Sequence, residues 1–283
     1  MRDLLKRQSL CCIKLITMEE QELIKKCLEG DKKSLEQLIH SVQTLLFNLS
    51  LRFLWNRLDA EDATQEILLK IVTNLSKYDG RSKFQTWAYR VATNYLINLK
   101  QTKAEMLLTS FDIYADDLKN FKAPVEYNLP DKALLEKEMK VSCTLAMLQC
   151  LNRELRVTFI LGSILKIKSN IGAEITNTTP ENFRKRLEQS RKILGNFLNG
   201  NCGVYNPANN CRCSKRINTA LKCGRIEKTK LNFADKVEFY NEEMEELCSL
   251  SGIYKNHGSF KSNSDFVIQL NELISSKQIM HGN

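Results

Sequence analysis

The chain has 283 residues, a formal charge of +9 and a pI near 9.0. That length holds about two or three ordinary domains. The basic surplus suits an anionic partner without specifying which one. No run of about 18 apolar residues occurs, which excludes a hydrophobic membrane span. Three scattered histidines (His40, His257, His281), with no glycine-rich phosphate loop and no nucleophile–base pairing, give catalysis little support.

Residues 1–17, MRDLLKRQSLCCIKLIT, read as a disordered leader, or as sequence upstream of a start at Met18. Lys14 interrupts the short apolar run and no small-residue cleavage pattern comes after it, so a secretion signal is the weaker reading. The protein is expected in the cytoplasm, where ten cysteines are mostly reduced thiols. Cys27, Cys143 and Cys150 fall in helical patterns and read as buried small hydrophobes.

Residues 18–103 form one helical module. Leu23, Leu28, Leu35, Leu38 and Ile39 open it, Gly30-Asp31 breaks it, and Asp31 is placed to cap the helix that begins there. Val42 to Leu54 supplies apolar surface for two further helices. In the first, Ala63, Ile67, Ile71 and Leu75 repeat every four residues, and Asp62, Gln65 and Glu66 share another face. Asp59 is positioned to cap its first turn. Ser76 to Lys83 is a loop turning at Gly80. The second helix places Phe84, Trp87, Ala88, Val91 and Tyr95 inward, with Tyr89, Arg90, Asn94 and Asn98 on other sides.

Residues 104–131 hold Asp112, Asp116, Asp117, Glu126, Pro124 and Pro130 without sustained periodicity, a linker composition. Helical spacing resumes at Leu134, Val141, Leu145 and Leu148, then at Leu151, Leu155 and Phe159. Thr179 before Pro180 is a cap followed by the proline a first turn tolerates. Phe183, Leu187, Ser190, Leu194 and Phe197 then make a narrow inward stripe ringed by Arg184, Lys185, Arg186, Arg191 and Lys192. A capped, basic, narrowly amphipathic helix after a shorter one fits a helix-turn-helix. Residues 132–199 form this module, and 200–283 are an extension carrying a cysteine cluster. The fold class is therefore all-α: two helical modules joined by a flexible linker, with a small C-terminal extension.

The blocks D-A-E-D-A-x-Q-E at Asp59 to Glu66 and F-x-T-W-x-Y-R-V-A-x-N at Phe84 to Asn94 resemble region 2 of the bacterial sigma-70 family. L-N-R-E-L-R at Leu151 to Arg156, with A-E-I-T-x-T-T-P-E-N-F-R-K-R-L at Ala173 to Leu187, resembles its region 4, and the short spacing is similar to the extracytoplasmic-function (ECF) branch. Asn152 stands where the family has proline, Lys166-Ile167-Lys168 replaces glycine-leucine-serine, and Gly172 replaces isoleucine at about 1 kcal/mol in helix propensity.

The resemblance implies a non-enzymatic initiation factor that needs no cofactor. Its partners would be core RNA polymerase (beta-prime and beta subunits), promoter DNA and an anti-sigma factor, with no membrane. Asp62, Gln65, Glu66 and Leu69 would grip the polymerase. Tyr78, Trp87, Arg90, Asn94 and Lys100 would serve the −10 element. Among them, Tyr78 is a stacking platform, Asn94 an amide able to read a base edge, and Arg90 and Lys100 phosphate holders. Asn182 and Arg184 would reach −35 base edges, with Lys185 and Arg191 nearer phosphates. The acidic linker would enter polymerase channels, and the extension looks like one carried by some ECF-like factors.

Cys202, Cys211, Cys213 and Cys223 admit three readings: reduced thiols without a joint role, a structural zinc site, or a redox switch. Their spacing lacks paired C-x-x-C knuckles, and nearby Arg212, Lys215 and Arg216 would lower the thiol pKa values. Two rival functions stay open. One is a stand-alone helix-turn-helix regulator. The other is a metal- or thiol-sensing regulator with degenerate sigma modules.

Overall fold

The computed structural model describes residues 18–101, 106, 110–119, 127–222, 225–229, 231–233, 254 and 258–277. The leader, Cys223 and the acidic stretch Glu238 to Glu246 lie outside the described residues. Among the described residues the protein is all-α, with helices α1 (Met18–Leu28), α2 (Lys32–Leu54), α3 (Arg57–Thr73), α4 (Phe84–Asn98), α5 (Phe111–Lys119), α6 (Lys132–Gln149), α7 (Arg153–Phe159), α8 (Ser169–Ile175), α9 (Pro180–Asn201), α10 (Cys213–Lys222) and α11 (Phe266–Lys277).

Helix α2 is the axle. Gly30, at φ +93, lets the chain reverse after α1, and Asp31 then caps α2 by accepting from the Ser34 backbone N–H at 3.0 Å. Leu35, Leu38, Ile39, Val42, Leu46, Leu49 and Phe53 recur at helical spacing and are all buried. The helix stops at Trp55, which adopts a left-handed φ of 62° and returns its N–H to the Leu51 carbonyl. Helices α1, α3, α4, α6 and α11 all pack on this rod.

One continuous apolar core joins Phe47 and Phe53 of α2 to Leu145 of α6, Phe159 of α7, Phe183 of α9 and Phe266 of α11. Each such buried side chain contributes about 1.5–3 kcal/mol. A smaller core of Tyr127, Leu135, Met139, Ile217, Ala220, Ile226 and Leu231 fixes α10 onto α6.

Several local expectations shift. Asn56, not Asp59, caps α3, its side chain accepting from the Asp59 N–H at 3.0 Å, while Asp59 adds an acidic group to the first turn. The inner stripe of α4 is Phe84, Ala88, Ala92 and Leu96 with Tyr89 also buried, whereas Trp87, Val91 and Tyr95 are half-buried at its edge. On α6 the buried position is Leu135, and Leu134 is exposed. The acidic linker contains a helix, α5, whose Phe111 and Tyr114 rings lie 5.0 and 5.6 Å from Phe197. The proline-free stretch between Ser110 and Lys119 permits it.

The departures of the second module have structural reasons. Asn152 caps α7, accepting from the Leu155 N–H at 2.9 Å. Lys166 takes a left-handed φ of 55°, the backbone region a glycine adopts freely. Gly172 lies where α8 crosses α9, and a methyl group there would come within 2.3 Å of the buried Phe183 ring. Helix propensity alone favours Gly172→Ala by about 1 kcal/mol. Overpacking against Phe183 reverses the sign, and the substitution is expected to destabilise the protein by about 1–3 kcal/mol in urea unfolding. In a Phe183→Leu background Gly172→Ala should cost less than it does in the native chain; a plain gain in stability for Gly172→Ala in the native chain would refute the packing account.

Candidate functional site

Helix α3 has three sides with different fates. Ala60, Ala63, Ile67 and Ile71 enter the core. Arg57, Glu61, Thr64 and Leu68 turn toward the C-terminal segment or are buried. Glu61 accepts from Ser262 Oγ at 3.2 Å and from the Asn263 N–H at 3.1 Å, and Arg57 donates to the carbonyls of Asn232 and Lys261. The third side stays open, with Asp62 and Glu66 exposed and Gln65 and Leu69 half-buried. Leu58, one turn before Asp62 on that same side, is 65% exposed. The sequence reading missed Leu58, although its four-residue spacing from Asp62 was visible. Tyr95 borders this surface. Burial first, then the Glu66 and Asp62 charges, raise its hydroxyl pKa, and the Lys70 ammonium lies 5.8 Å from its ring centre.

The loop before α4 turns at Gly80, at φ +73, and closes around three aromatics. The Tyr78 ring lies 5.7 Å from Phe84, nearly perpendicular, and 5.5 Å from Trp87. Its hydroxyl donates to the Ser82 carbonyl at 2.5 Å. Burial, with Glu20 and Asp79 adding negative charge, pushes the Tyr78 pKa well above its usual value, so the phenol stays neutral. Asn94 and Lys100 are exposed on and just after α4. Arg90 is half-buried and pairs with Glu174 of α8 at 2.7 Å. Arg153 of α7 also donates to the Ile97 carbonyl at 2.8 Å and to that of Leu99. The side of α4 bearing Arg90 is thereby covered by the second module.

Helices α8 and α9 form the helix-turn-helix. Asn177 supplies a left-handed turn residue at φ +49, and Thr179 caps α9 by accepting from the Asn182 N–H at 3.2 Å. Asn182, Arg184 and Lys185 are exposed, and Lys185 pairs with Glu181 at 2.7 Å. Such exposed pairs are worth about 0–1 kcal/mol and yield easily to a polyanion. Arg191 is exposed but directs Nε to Ser163 Oγ at 2.9 Å. Arg186 pairs with Glu154 at 2.7 Å. The expected inward stripe of Phe183, Leu187, Ser190, Leu194 and Phe197 is buried throughout.

Cys202, Cys211 and Cys213 are half-buried, and Cys223 lies outside the described residues. Among the described residues, no three His, Cys, Asp or Glu side chains are arranged to hold a metal ion. The described thiols have instead drawn in Cys143 of α6. Burial first, then Cys143, Cys202 and Cys211, raise the Cys213 pKa, while Cys143 itself is pushed up to about 12. At Cys211 burial outweighs the opposing pull of Arg216 and Arg212, so the basic neighbours do not produce the expected thiolate.

Residues 38–105 match sigma-70 region 2. The RNA polymerase sigma-H factor of Pseudomonas aeruginosa is 26% identical over 188 residues, covering 65% of this chain and 96% of that protein. The ECF RNA polymerase sigma-E factor of Haemophilus influenzae is 24% identical over 184 residues, 64% of this chain and 96% of its own length. The Bacillus subtilis ECF RNA polymerase sigma factor SigW is 25% identical over 173 residues, 60% and 92% respectively. A solved structure of CnrH in complex with the cytosolic domain of CnrY covers 63% of this chain and 96% of its own at 15% identity, with a TM-score of 0.45. More than a third of this chain lies outside each of these three sigma-factor matches. Residues 38–105 thus match sigma-70 region 2, and the chain is similar to sigma factors of the ECF type over nearly the whole of their lengths.

Proposed function

We propose that this chain acts as a sigma factor that docks on core RNA polymerase through the open side of α3, captures −10 bases beside the Tyr78 loop, and reads the −35 element with α9. The observation that carries the reading is the open stripe itself. Two sides of α3 are filled by core and C-terminal segment, yet Leu58, Asp62 and Glu66 remain exposed together. An apolar residue next to carboxylates suits a basic partner surface with a buried anchor, the charges giving register and steering. Tyr78 and Trp87, half-buried on the fully buried Phe84, offer partial aromatic surface, and the exposed amide of Asn94 follows two turns after Trp87 on α4. Stacking there returns about 1–3 kcal/mol per base against the cost of unpairing it. The capped α9 presents Asn182 and Arg184 at its N-terminal end, the part of a recognition helix that reaches base edges. This reading uses no cofactor and acts in the cytoplasm, beside the polymerase.

Combining Asp62→Arg with Glu66→Arg is expected to lower core polymerase affinity about tenfold or more, because the reversed charges face the same basic surface. Circular dichroism should show unchanged helix content; undiminished co-purification of the folded double variant with core polymerase contradicts the assignment. Tyr78→Ala and Asn94→Ala are each expected to slow open-complex formation on duplex promoters by about tenfold. A pre-melted template should rescue Tyr78→Ala, and Tyr78→Phe, which keeps the ring and loses only the bond to Ser82, should melt promoters far better than the alanine variant. Full activity of both alanine variants on duplex DNA would exclude base capture here.

Phosphate contact by Arg90 requires parting it from Glu174. The pair is over a third exposed on each side, so it is worth at most about 1 kcal/mol. Glu174→Ala should therefore raise affinity for single-stranded −10 DNA by up to about fivefold, measured by fluorescence anisotropy. A drop in affinity would show that Glu174 supports DNA binding instead of competing with it.

A further inference from the structure

A cavity of about 460 Å³ lies apart from the contact residues proposed on α3, in the Tyr78 loop and on α9. Four segments wall it: Trp55 at the end of α2, Ile113, Tyr114 and Asp117 of α5, Met139, Ser142, Cys143 and Ala146 of α6, and Arg216 and Arg225 of the C-terminal extension. Its volume falls in the usual range for small-molecule sites, about 300–1,000 Å³. Trp55, Tyr114, Met139 and Ala146 make most of the lining apolar, and the polar groups are few and convergent.

Those polar groups favour an anion. Asp117 is held bidentately by Arg225 at 2.8 and 3.1 Å and by Arg216 at 2.9 Å. The hydrogen bond from Arg225 and the charges of both guanidinium groups keep the Asp117 carboxyl below its usual pKa, so it is ionised at neutral pH. Among the described residues, two cations and one anion line the cavity. Arg225 stands at the rim with about half of its side chain exposed, whereas Arg216 is buried. Ser142, 7% exposed on α6, lines the wall and makes no side-chain hydrogen bond with any described residue. Its hydroxyl opens onto the cavity, where it can donate to an acceptor.

We propose that this cavity binds a small organic carboxylate with an aromatic or branched apolar body. The carboxylate would meet Arg225 and the Ser142 hydroxyl, and the apolar body would fill the space between Trp55, Tyr114 and Met139. A ligand held there touches region 2, the linker, region 4 and the extension together. It favours the assembled form over any state in which these segments separate, by simple linkage.

The test uses the full chain and three probes, phenylacetate, indole-3-acetate and octanoate, each paired with its neutral primary amide. Isothermal titration calorimetry should find at least one carboxylate binding once per chain with a Kd below about 1 mM, and its amide about tenfold weaker. That carboxylate should raise the thermal unfolding midpoint in proportion to its occupancy. Arg225→Gln should bring acid and amide to within about twofold of each other, because the charge-assisted bond is gone. Ala146→Phe, which fills the cavity, should abolish binding of both. Should Ala146→Phe fail to fold, Ser142→Ala serves, with an expected loss of about three- to tenfold for the carboxylate alone. Three results each overturn the proposal: no probe binding at millimolar concentration, equal affinity for acid and amide in the native chain, or unaltered affinity in the Arg225 and Ser142 variants. The last would place any binding elsewhere.

Discussion

The buried end of α2 is the constraint on which the assembly depends. A helix leaves its last carbonyls without intrahelical partners, and burying them unsatisfied is expensive. Here the Phe53 carbonyl accepts from Gln149 Nε2 at 3.1 Å and from Arg156 Nη1 at 3.0 Å, both from the second module. Arg156 also donates to the Gln149 and Leu151 carbonyls and lies 4.9 Å from the centre of the Phe53 ring. One guanidinium thereby finishes α2, holds the α6–α7 corner and covers an aromatic face. Region 2 completes its own helix with groups supplied about a hundred residues later in the chain.

Two further buried arginines repeat the device toward the C-terminal extension. Arg57 donates to the carbonyls of Asn232 and Lys261, and its guanidinium lies 5.2 Å from the Phe47 ring centre. Arg52 donates to Asn48 Oδ1 at 2.7 Å and to the Gly258 carbonyl at 2.5 Å, and lies 4.9 Å from the Phe260 ring centre. Burial lowers the Arg52 pKa to about 10, which leaves it charged at neutral pH. Asn48 exchanges hydrogen bonds with the Phe260 backbone in both directions, at 2.8 and 2.9 Å, in the manner of a strand partner. The extension is therefore bound to region 2 by specific backbone recognition as well as by packing of the Phe266 ring against Phe47.

Legibility in the sequence follows the range of the interactions. Asp31 and Thr179 were readable as caps because a cap is a local event between residues three apart. The stripe on α9 and the Asp62–Glu66 face were readable for the same reason, since one helix determines its own periodicity. Asn56 displaced Asp59 because the turn at Trp55 determines where α3 begins, and no propensity announces a tryptophan in a left-handed conformation. Gly172 looked like a defect when judged by helix propensity alone, and only the Phe183 ring from another helix explains it. Arg90 and Glu174 stand 84 residues apart, and Phe53 and Arg156 103 apart, in no repeating pattern. The thiols mislead in the same way: Arg212 and Arg216 are visible in the sequence near Cys211, but the burial that outweighs them is a property of the fold.

The open stripe of α3 and the Arg90 side of α4 differ in how they are kept. The α3 stripe needs nothing to move: its carboxylates face solvent while the other two sides of the helix are spent on the core and on the extension. The Arg90 side of α4 is engaged, through Arg90 with Glu174 and through the α4 C-terminal carbonyls with Arg153. These contacts have unequal strengths. The Arg90–Glu174 pair is half-exposed and screened, so it exchanges readily for a phosphate, while the part-buried Arg153 contacts cap real carbonyls and resist removal. Separation of the second module from α4 is therefore cheap where α8 meets Arg90 and costly where α7 meets the end of the helix through Arg153.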